Sequence, residues 1–412
     1  MGDSIKSDIT IIGAGPAGIT AALTLGKKGI PCLLIDKYQF PREKICGDGL
    51  SGKVISSLNK INPLYVSGLR DSGIAAGSQA VRFYSPGLKM MELSFKPDDL
   101  SLPSGLICKR IDFDNYLLTK ALTFPEIQFE GGVQINKMTR NNGNILLHDK
   151  SNKIIAETRL VLFAAGADLT LIRQLDPSCP VSAEEGLGVR GYFENVIGSD
   201  HKHAIEIHFL KELLPWYLWI FPFSDGSANV GLALPSSLAK KKPLSLKELL
   251  YFLIEKYPHL KNRFINAKLT GKIEANRLPY YTGPIQIAGD NYLLLGDAAR
   301  LIDPFTGEGI GNAMVSGFLA AENAEECLKK SDFSFSGTQN YQYKIYEKLD
   351  PELALGLKLQ SLARRKRLLN LVIGKASRNE KTRNFISEML YKANTKRNLN
   401  KPLFYIKLIL GL

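Results

Sequence analysis

Short apolar runs alternate with segments of helical spacing along the start of the chain. Asp8–Ile12 has the length and composition of a buried strand, and Pro16–Lys27 follows as a helix entered through a glycine-rich turn. Cys32–Asp36 then reads as a second strand, and the helix between the two makes them parallel. Residues 40–60 read as loop and helix. Ser78–Phe95 alternates weakly around the turn residues Ser85-Pro86-Gly87, which suggests strands of a different sheet. Arg110–Leu122 has helical spacing in Phe113, Leu117, Leu118 and Ala121, and Leu160–Ala165 is another short apolar run ending in a glycine. From 186 to 280 the segments become longer and aromatic: Gly186–Glu194, Ala204–Leu210, Trp216–Phe221 and Ala228–Leu234. That stretch predicts an antiparallel sheet inserted into an α/β body. Tyr292–Gly296 returns to the buried-strand pattern. Gly309–Leu328 returns to a helix with Ile310, Met314, Gly317, Phe318 and Ala321 on one face. Beyond 350 the chain reads as helical and basic.

Composition changes this picture in one respect. The 412 residues are 45% hydrophobic and carry a formal charge of +13. Residues 353–412 hold 14 Lys/Arg against 2 Asp/Glu, and the rest of the chain holds 39 against 38. The body is neutral and the tail is basic. Five scattered cysteines without a CxxC pair fit reduced thiols in the cytoplasm, not a disulfide framework. The polar start MGDSIKSD predicts no secretory signal, and the longest apolar run, Leu213–Phe223, is 11 residues and broken by two prolines, too short to span a bilayer.

Two motifs carry chemistry at the level of residues. Gly13-Ala14-Gly15-Pro16-Ala17-Gly18 lies between a strand and a helix. In a GxGxxG turn the first glycine allows the tight bend, the second lets backbone approach a pyrophosphate, and the third lets the helix pack close. The phosphates then meet the helix N-terminus. Asp36, 18 residues beyond Gly18, is placed to accept ribose hydroxyls. This unit alone does not separate NAD from FAD. The second motif does: Leu293-Leu294-Leu295-Gly296-Asp297-Ala298-Ala299 followed by Asp303-Pro304-Phe305-Thr306-Gly307-Glu308-Gly309-Ile310-Gly311-Asn312-Ala313. A strand-end carboxylate suits the ribityl hydroxyls of a flavin, and a glycine-rich turn starts the next helix against the isoalloxazine, where its dipole favours negative charge. NAD has no ribityl chain.

These two stretches resemble the p-hydroxybenzoate hydroxylase-like flavoproteins, whose signature is GDAA…P…G.G…A. The resemblance implies that Asp297 holds the ribityl chain and that the Gly307–Asn312 backbone faces the pyrimidine edge of FAD. It also implies that Arg110 lies beside the FAD phosphates, although a solvated helix-cap arginine explains that residue too, and that Val133 contacts the adenine. Phe40-Pro41-Arg42-Glu43-Lys44-Ile45-Cys46-Gly47-Asp48 and Tyr217-Leu218-Trp219-Ile220-Phe221-Pro222 are similar to the P-R-x-K-x-C-G-G/D and YxWxFP stretches of the geranylgeranyl reductase branch. There the Cys-Gly pair lies close to the flavin, so Cys46 is either a proton donor or a small buried hydrophobe. On a strand Tyr217, Trp219 and Phe221 share one face, a wall that suits an apolar chain or simply a packed core. Flavin-dependent halogenases carry the related WxWxIP, with Trp and Ile where this chain has Tyr217 and Phe221.

The fold class implied is α/β: a glutathione-reductase-type, Rossmann-like FAD domain with an inserted antiparallel β-sheet substrate domain and a helical C-terminal segment. The expected boundaries are 1–75, 98–182 and 280–350 for the FAD domain, 76–97 and 183–279 for the substrate domain, and 351–412 for the basic segment. The cofactor-binding set is Gly13, Gly15, Pro16, Ala17, Gly18, Asp36, Lys37, Lys44, Cys46, Gly47, Arg110, Val133, Gly166, Gly296, Asp297, Pro304, Gly307, Gly309 and Ile310. The catalytic candidates are Cys46, Tyr217 and Trp219. Many hydroxylases of this fold have an Asp-Gly pair where this chain has Ala165-Gly166, which leaves the electron donor open between NAD(P)H and a reduced protein carrier.

His201, His203, Glu206 and His208 do not read as a metal set, because on a strand the first two point away from the others. The tail, with Arg364-Arg365-Lys366-Arg367, apolar residues Ile386, Met389, Leu390 and Ala393 at helical spacing, and a closing Leu403–Leu410 run, fits a solvated helix over the FAD domain. It also fits peripheral membrane contact; no nucleic-acid partner is expected. The expected function is reduction of C=C bonds in a prenyl lipid by reduced FAD. A monooxygenase or halogenase working through a flavin C4a-peroxide and a non-catalytic electron-transfer flavoprotein are the alternatives.

Overall fold

The computed structural model describes residues 4–94, 105–179, 184–200 and 202–391. The strand Ile5–Ile12 is central to the first sheet, with Ile154–Phe163 parallel on one side and Cys32–Asp36 parallel on the other. Ile127–Gly131 continues the sheet beyond Cys32–Asp36, and Tyr292–Leu294 continues it beyond Ile154–Phe163, both parallel. Helices cover this sheet, so its strands are apolar on both faces and read as unbroken runs: Ile9–Ile12, Cys32–Asp36 and Leu160–Phe163 are all buried. A hairpin, Lys137–Asn141 and Asn144–His148, pairs antiparallel with the early part of Ile154–Phe163.

The second sheet has seven strands in the order Lys268–Leu278, Gly186–Glu194, Ala228–Pro235, Leu218–Pro222, Ile205–His208, Ala80–Tyr84 and Met90–Ser94. Neighbours are antiparallel except Ile205–His208 and Ala80–Tyr84, which run parallel because they come from separate segments. Its alternation sets two faces. Leu218 and Ile220 pack beneath the helix Leu246–Lys256 with Leu249, Leu250 and Leu253. Trp216, Trp219 and Ile207 point the other way, into a cluster with Val81, Met91 and Leu93. A small antiparallel sheet of Gly49–Leu50, Leu106–Cys108 and Ala75–Gly77 lies between the large ones, and its last strand straddles the expected boundary at 75/76.

The helix Phe335–Ala363 runs unbroken across the expected boundary at 350/351, with Pro351 inside it. The two helices after it, Lys366–Ala376 and Glu380–Tyr391, bring Ile373, Ala376 and Ile386 onto the substrate-sheet cluster beside Met91 and Leu93. The basic segment therefore covers the substrate sheet and not the FAD domain alone. The expected boundaries at 97/98 and 182/183, the strand end at Phe95, His201, and the tail from 392 onward, with Ala393 and Leu403–Leu410, lie outside the described residues.

The helix Ile310–Lys330 crosses Pro16–Gly26 at Gly317, where an added Cβ would stand 2.4 Å from the Ala17 carbonyl oxygen and 3.0 Å from the Ala21 nitrogen. Both neighbours are backbone and have no rotamer to yield. Alanine is favoured over glycine inside a helix by about 1 kcal/mol, while overpacking costs about 1–3 kcal/mol. We therefore expect Gly317→Ala to lower stability to urea by about 1–2 kcal/mol, since both helices lead into the cofactor motifs. An unchanged or higher urea midpoint would contradict this crossing.

Candidate active site

The carboxyl ends of the parallel strands converge on one cavity of about 1300 Å³, bordered by Gly13, Asp36, Ala164 and Gly296. Pockets for drug-sized ligands run to roughly 1,000 Å³, so this space holds more than one such group. At one end Gly13 has φ +105° and donates its N–H to the Ile35 carbonyl at 2.7 Å. An added Cβ there would meet the Ala164 carbonyl oxygen at 2.4 Å, so only glycine makes the bend. Gly15 is extended, and a Cβ on it would meet only the Arg42 guanidinium, at 3.8 Å. No side chain caps the helix that starts at Pro16, so its first amides face the cavity unclaimed. This open, glycine-walled helix start fits a pyrophosphate.

Asp36 is fixed beside it. Its carboxylate accepts the Ala14 N–H at 2.8 Å and the Tyr38 N–H at 2.9 Å. A carboxylate has about four acceptor positions, so two remain for ribose hydroxyls. Val133 donates its N–H to the Asp36 carbonyl at 3.0 Å, closing the adenine side. Arg110 is buried and holds Asp114 in a bidentate pair at 2.8 and 2.7 Å, with Arg42 3.1 Å from the same carboxylate. It is not a solvated cap.

At the other end Gly296–Ala299 is a 3-10 turn anchored by the Gly296 N–H, which donates to Ser316 Oγ at 3.0 Å. Tyr341 Oη donates to the Leu294 carbonyl at 2.7 Å just before it. Asp303 folds the following loop by accepting the Phe305 and Thr306 amides at 2.9 and 2.7 Å, and burial pushes its carboxyl up. Side chains claim part of the start of the helix at Ile310. Glu308 accepts the Gly311 N–H at 2.7 Å, and Asn312 turns its amide to the Leu301 carbonyl and to Lys53. A carboxylate already sits on the positive end of that helix, and the nearby Lys53 ammonium pairs with Glu352 at 3.1 Å.

Between the two ends lies a buried polar network that no local pattern announces. Asp48, fully buried at φ +67°, accepts Tyr192 Oη at 2.8 Å and Asn229 Nδ2 at 2.8 Å on one oxygen, and the Arg110 N–H at 3.2 Å on the other. Asn229 Nδ2 also donates to the Cys46 carbonyl at 2.7 Å, while its oxygen accepts Trp219 Nε1 at 2.9 Å. Arg190 reaches Glu43 at 3.1 Å and Glu274 at 3.3 Å. Cys46 opens partly onto the cavity; burial pushes its thiol up against the lowering pull of Arg110. It is protonated at neutral pH and a poor nucleophile. Tyr217 Oη donates to the Thr306 carbonyl, tying the aromatic strand to the glycine-rich loop.

The cavity brings together all but two of the expected site residues. Gly18 is inside the helix and Pro304 behind the wall, where its carbonyl accepts Trp216 Nε1 at 2.7 Å and Gln360 Nε2 at 2.9 Å. Lys37 and Lys44 border it from the loop side. Asp48, Tyr192, Arg190 and Asn229 were not expected; the one signal for them is an acid between Gly47 and Gly49. Glu206 and His208 lie elsewhere, paired at 3.2 Å, with Glu206 also held by Arg263 and His208 stacked on Tyr84 at 4.3 Å. Among the described residues no group of three His, Cys, Asp or Glu side chains converges as a metal set.

Comparison with known proteins agrees with this geometry. A family model described as an FAD binding domain matches residues 6–134. Menaquinone reductase of Mycobacterium tuberculosis is 28% identical over 349 residues, covering 77% of this chain and 76% of that protein. Digeranylgeranylglycerophospholipid reductase of Methanosarcina acetivorans is 29% identical over 360 residues, covering 83% and 79%. A geranylgeranyl bacteriochlorophyll reductase-like structure from Thermoplasma acidophilum superposes with a TM-score of 0.81 at 23% identity, covering 100% of this chain and 99% of that one. The flavin-dependent halogenase CmlS shares the fold at a TM-score of 0.70 and 20% identity, over 85% of this chain and 63% of the halogenase. The protein is an FAD-dependent oxidoreductase. Within that class the curated relatives it resembles over most of its length are reductases.

Two outcomes follow from the site. Gly15→Val points a branched side chain into the open cradle without touching the protein core, so the variant should fold yet purify without the flavin absorbance of the parent. Retention of full flavin content would place the pyrophosphate elsewhere. The second concerns Asp48. Burial lifts its carboxyl from the usual 3.8 to about 6, although Asn229, Tyr192, Arg190 and Arg110 all pull it down. The native state therefore holds this proton more tightly than the unfolded chain. The stability it contributes is full below about pH 4 and is lost as pH rises through about 6, on the order of 3 kcal/mol in all. Urea unfolding of the parent and Asp48→Asn across pH 4–7 should show the parent losing ground to the variant as pH rises; a pH-independent difference would contradict it.

Proposed function

We propose that the protein reduces isolated carbon–carbon double bonds of a polyprenyl chain. One observation carries this reading: the cofactor cavity continues, past Cys46 and Trp219, into an apolar half bordered by Val81, Phe83, Ile205, Ile207, Phe209, Phe221 and Leu278. An apolar wall of this kind beside a flavin suits a lipid chain. The names of the relatives point the same way, since digeranylgeranylglycerophospholipid and menaquinone are both isoprenoid lipids.

Reduced FAD, when bound, supplies a hydride. The residues of the chain do the rest. Gly13, Gly15 and the amides after Pro16 hold the pyrophosphate, Asp36 the ribose, and Asp297 the ribityl hydroxyls. Trp219 and Tyr217 press the prenyl chain toward the ring, each locked by its own hydrogen bond. An isolated double bond accepts hydride at one carbon as a proton arrives at the other, so positive charge develops along the chain. The faces of Trp219 and Phe221 attract such charge. Cys46 Sγ holds a proton at the junction of the two halves and delivers it there; Tyr217 keeps its own for the Thr306 carbonyl. Electrons reach the flavin from NAD(P)H or a reduced protein carrier, and the substrate is met at a membrane, to which the basic C-terminal segment is drawn. No described helix is long and apolar enough to cross a membrane.

The flavin of the purified protein, chemically reduced without oxygen, should be reoxidised by a polyprenyl lipid in detergent, giving a product heavier by two hydrogens for each bond reduced. Cys46→Ala should slow that step by about 100-fold or more while flavin content is kept, the usual range for losing a general acid. Product formed only with oxygen consumption would favour the monooxygenase or halogenase reading, and a flavin reoxidised by a protein carrier but by no lipid would favour electron transfer.

A further inference from the structure

The end of the cavity beside the Gly307–Ile310 turn is crowded with carboxyl groups. Glu308 accepts the Gly311 N–H at 2.7 Å, so a full negative charge sits on the first turn of the helix Ile310–Lys330. A helix N-terminus carries about half a positive charge, which that carboxylate more than offsets. Asp297 reaches the same turn: a Cβ on Gly309 would stand 3.8 Å from its Oδ1. Asp303 folds the turn, its carboxyl pushed up by burial with a further contribution from the Glu352 charge. The helix Phe335–Ala363 brings Glu352 in, and at Gly356, one turn on, an added Cβ would meet Asp303 Oδ2 at 2.7 Å. Asp303, Glu308 and Glu352 all border the cavity. Reduction adds negative charge to a flavin ring, so carboxylates gathered at its edge oppose it.

A lysine answers them. Lys53 Nζ donates to Asn312 Oδ1 at 2.6 Å and pairs with Glu352 at 3.1 Å. Its stem crosses the first turn of the helix Ile310–Lys330, because a Cβ on Gly311 would stand 2.8 Å from Lys53 Cβ. Lys53 and Ser56, one turn apart on the helix Gly52–Ile61, border the cavity, while Val54, Ile55 and Leu58 are buried in the core. The lysine is badly placed for its own helix. It stands in the first turn, where the macrodipole favours acidic side chains and repels cations, and that turn has no acid. Asn312 and Glu352, from two other helices, hold it there against the repulsion.

We propose that Lys53 sets the reduction potential of bound FAD. Its ammonium supplies the positive charge that the helix at Ile310 has lost to Glu308, and Glu352 both holds that ammonium and moderates it. A cation beside the ring stabilises the reduced form and raises the potential; a carboxylate does the reverse. Removing the two partners of this one ion pair therefore moves the potential in opposite directions. The inference rests on a ring seated at the Gly307–Ile310 turn and is independent of the polyprenyl substrate.

The test is anaerobic reduction of the full-length flavoprotein beside a reference dye of known potential, with no lipid added. We expect Lys53→Met to move the oxidised-to-reduced ratio at a given dye poise about tenfold toward oxidised, or about 30 mV downward for a two-electron couple. Glu352→Gln should move the ratio toward reduced by about threefold or more. Lys53→Arg, which keeps the charge, should keep most of the parent's potential. Opposite signs separate charge from structure, because loss of a merely structural ion pair disturbs the site the same way whichever partner is removed. Shifts of the same sign from Lys53→Met and Glu352→Gln, or a Lys53→Met potential equal to or above the parent's, would overturn the proposal. If Lys53→Met purifies without flavin, Glu352→Gln decides alone: a raised potential supports the proposal, and an unchanged or lowered one overturns it.

Discussion

Asn229 is the joint on which the active site depends. One side chain, buried on the substrate sheet, takes the Trp219 indole N–H on its oxygen and gives its two amide hydrogens to Asp48 and to the Cys46 carbonyl. It therefore holds the aromatic wall and the loop from the FAD domain in a single arrangement. The cavity between them has two chemical halves because this joint keeps the sheet and the loop at a fixed separation. A buried polar group left without its partner costs about 1–3 kcal/mol, so the three bonds act together to exclude other placements of the loop. Asp48 adds a charge to the joint, and the cost of burying it shows in a carboxyl lifted to about 6.

How much of this was legible in the sequence follows from how local each requirement is. The strand–glycine–helix unit at Gly13–Gly18 and the Gly296-Asp297 and Gly307–Ile310 stretches are dictated by backbone conformation and spacing within a few residues, so they stand out. The aromatic face of Tyr217 and Trp219 was legible too, because strand period alone separates it from Leu218 and Ile220. The polar network was not. Asp48, Tyr192, Arg190 and Asn229 come from three segments far apart in the chain, and nothing near any of them marks it as a partner of the others. The parallel pairing of Ile205–His208 with Ala80–Tyr84 was hidden for the same reason. The helix Leu246–Lys256 lay inside a stretch that looked like strands, although its start carries a reciprocal cap between Ser245 and Glu248 that could have given it away. Arg110, which read equally as a surface cap, proved to be buried because Asp114, one turn along the same helix, pairs with it.

The second cofactor motif is more subtle than a bare helix dipole aimed at a flavin. Glu308 caps that helix, and Lys53 stands against both Asn312 and Glu352 nearby. A flavin edge held at this turn would meet a charge set by side chains as well as by the peptide dipole. The donor of electrons is not marked by any comparable local device, since Ala165-Gly166 replaces the acid that hydroxylases of this fold carry. The apolar half of the cavity is the feature on which the proposed chain-like substrate rests.

The central claim is that one cavity holds FAD and an isoprenoid chain in contact at Trp219 and Cys46. A crystal structure of the FAD-loaded protein with an unsaturated polyprenyl lipid tests it most directly. The account predicts a flavin running from Asp36 to the Gly307–Ile310 turn, with a double bond of the lipid between the ring and Trp219 and the rest of the chain along Val81, Phe83 and Ile207. A flavin whose ring lies away from Cys46, or a lipid seated anywhere other than this apolar half, would contradict it.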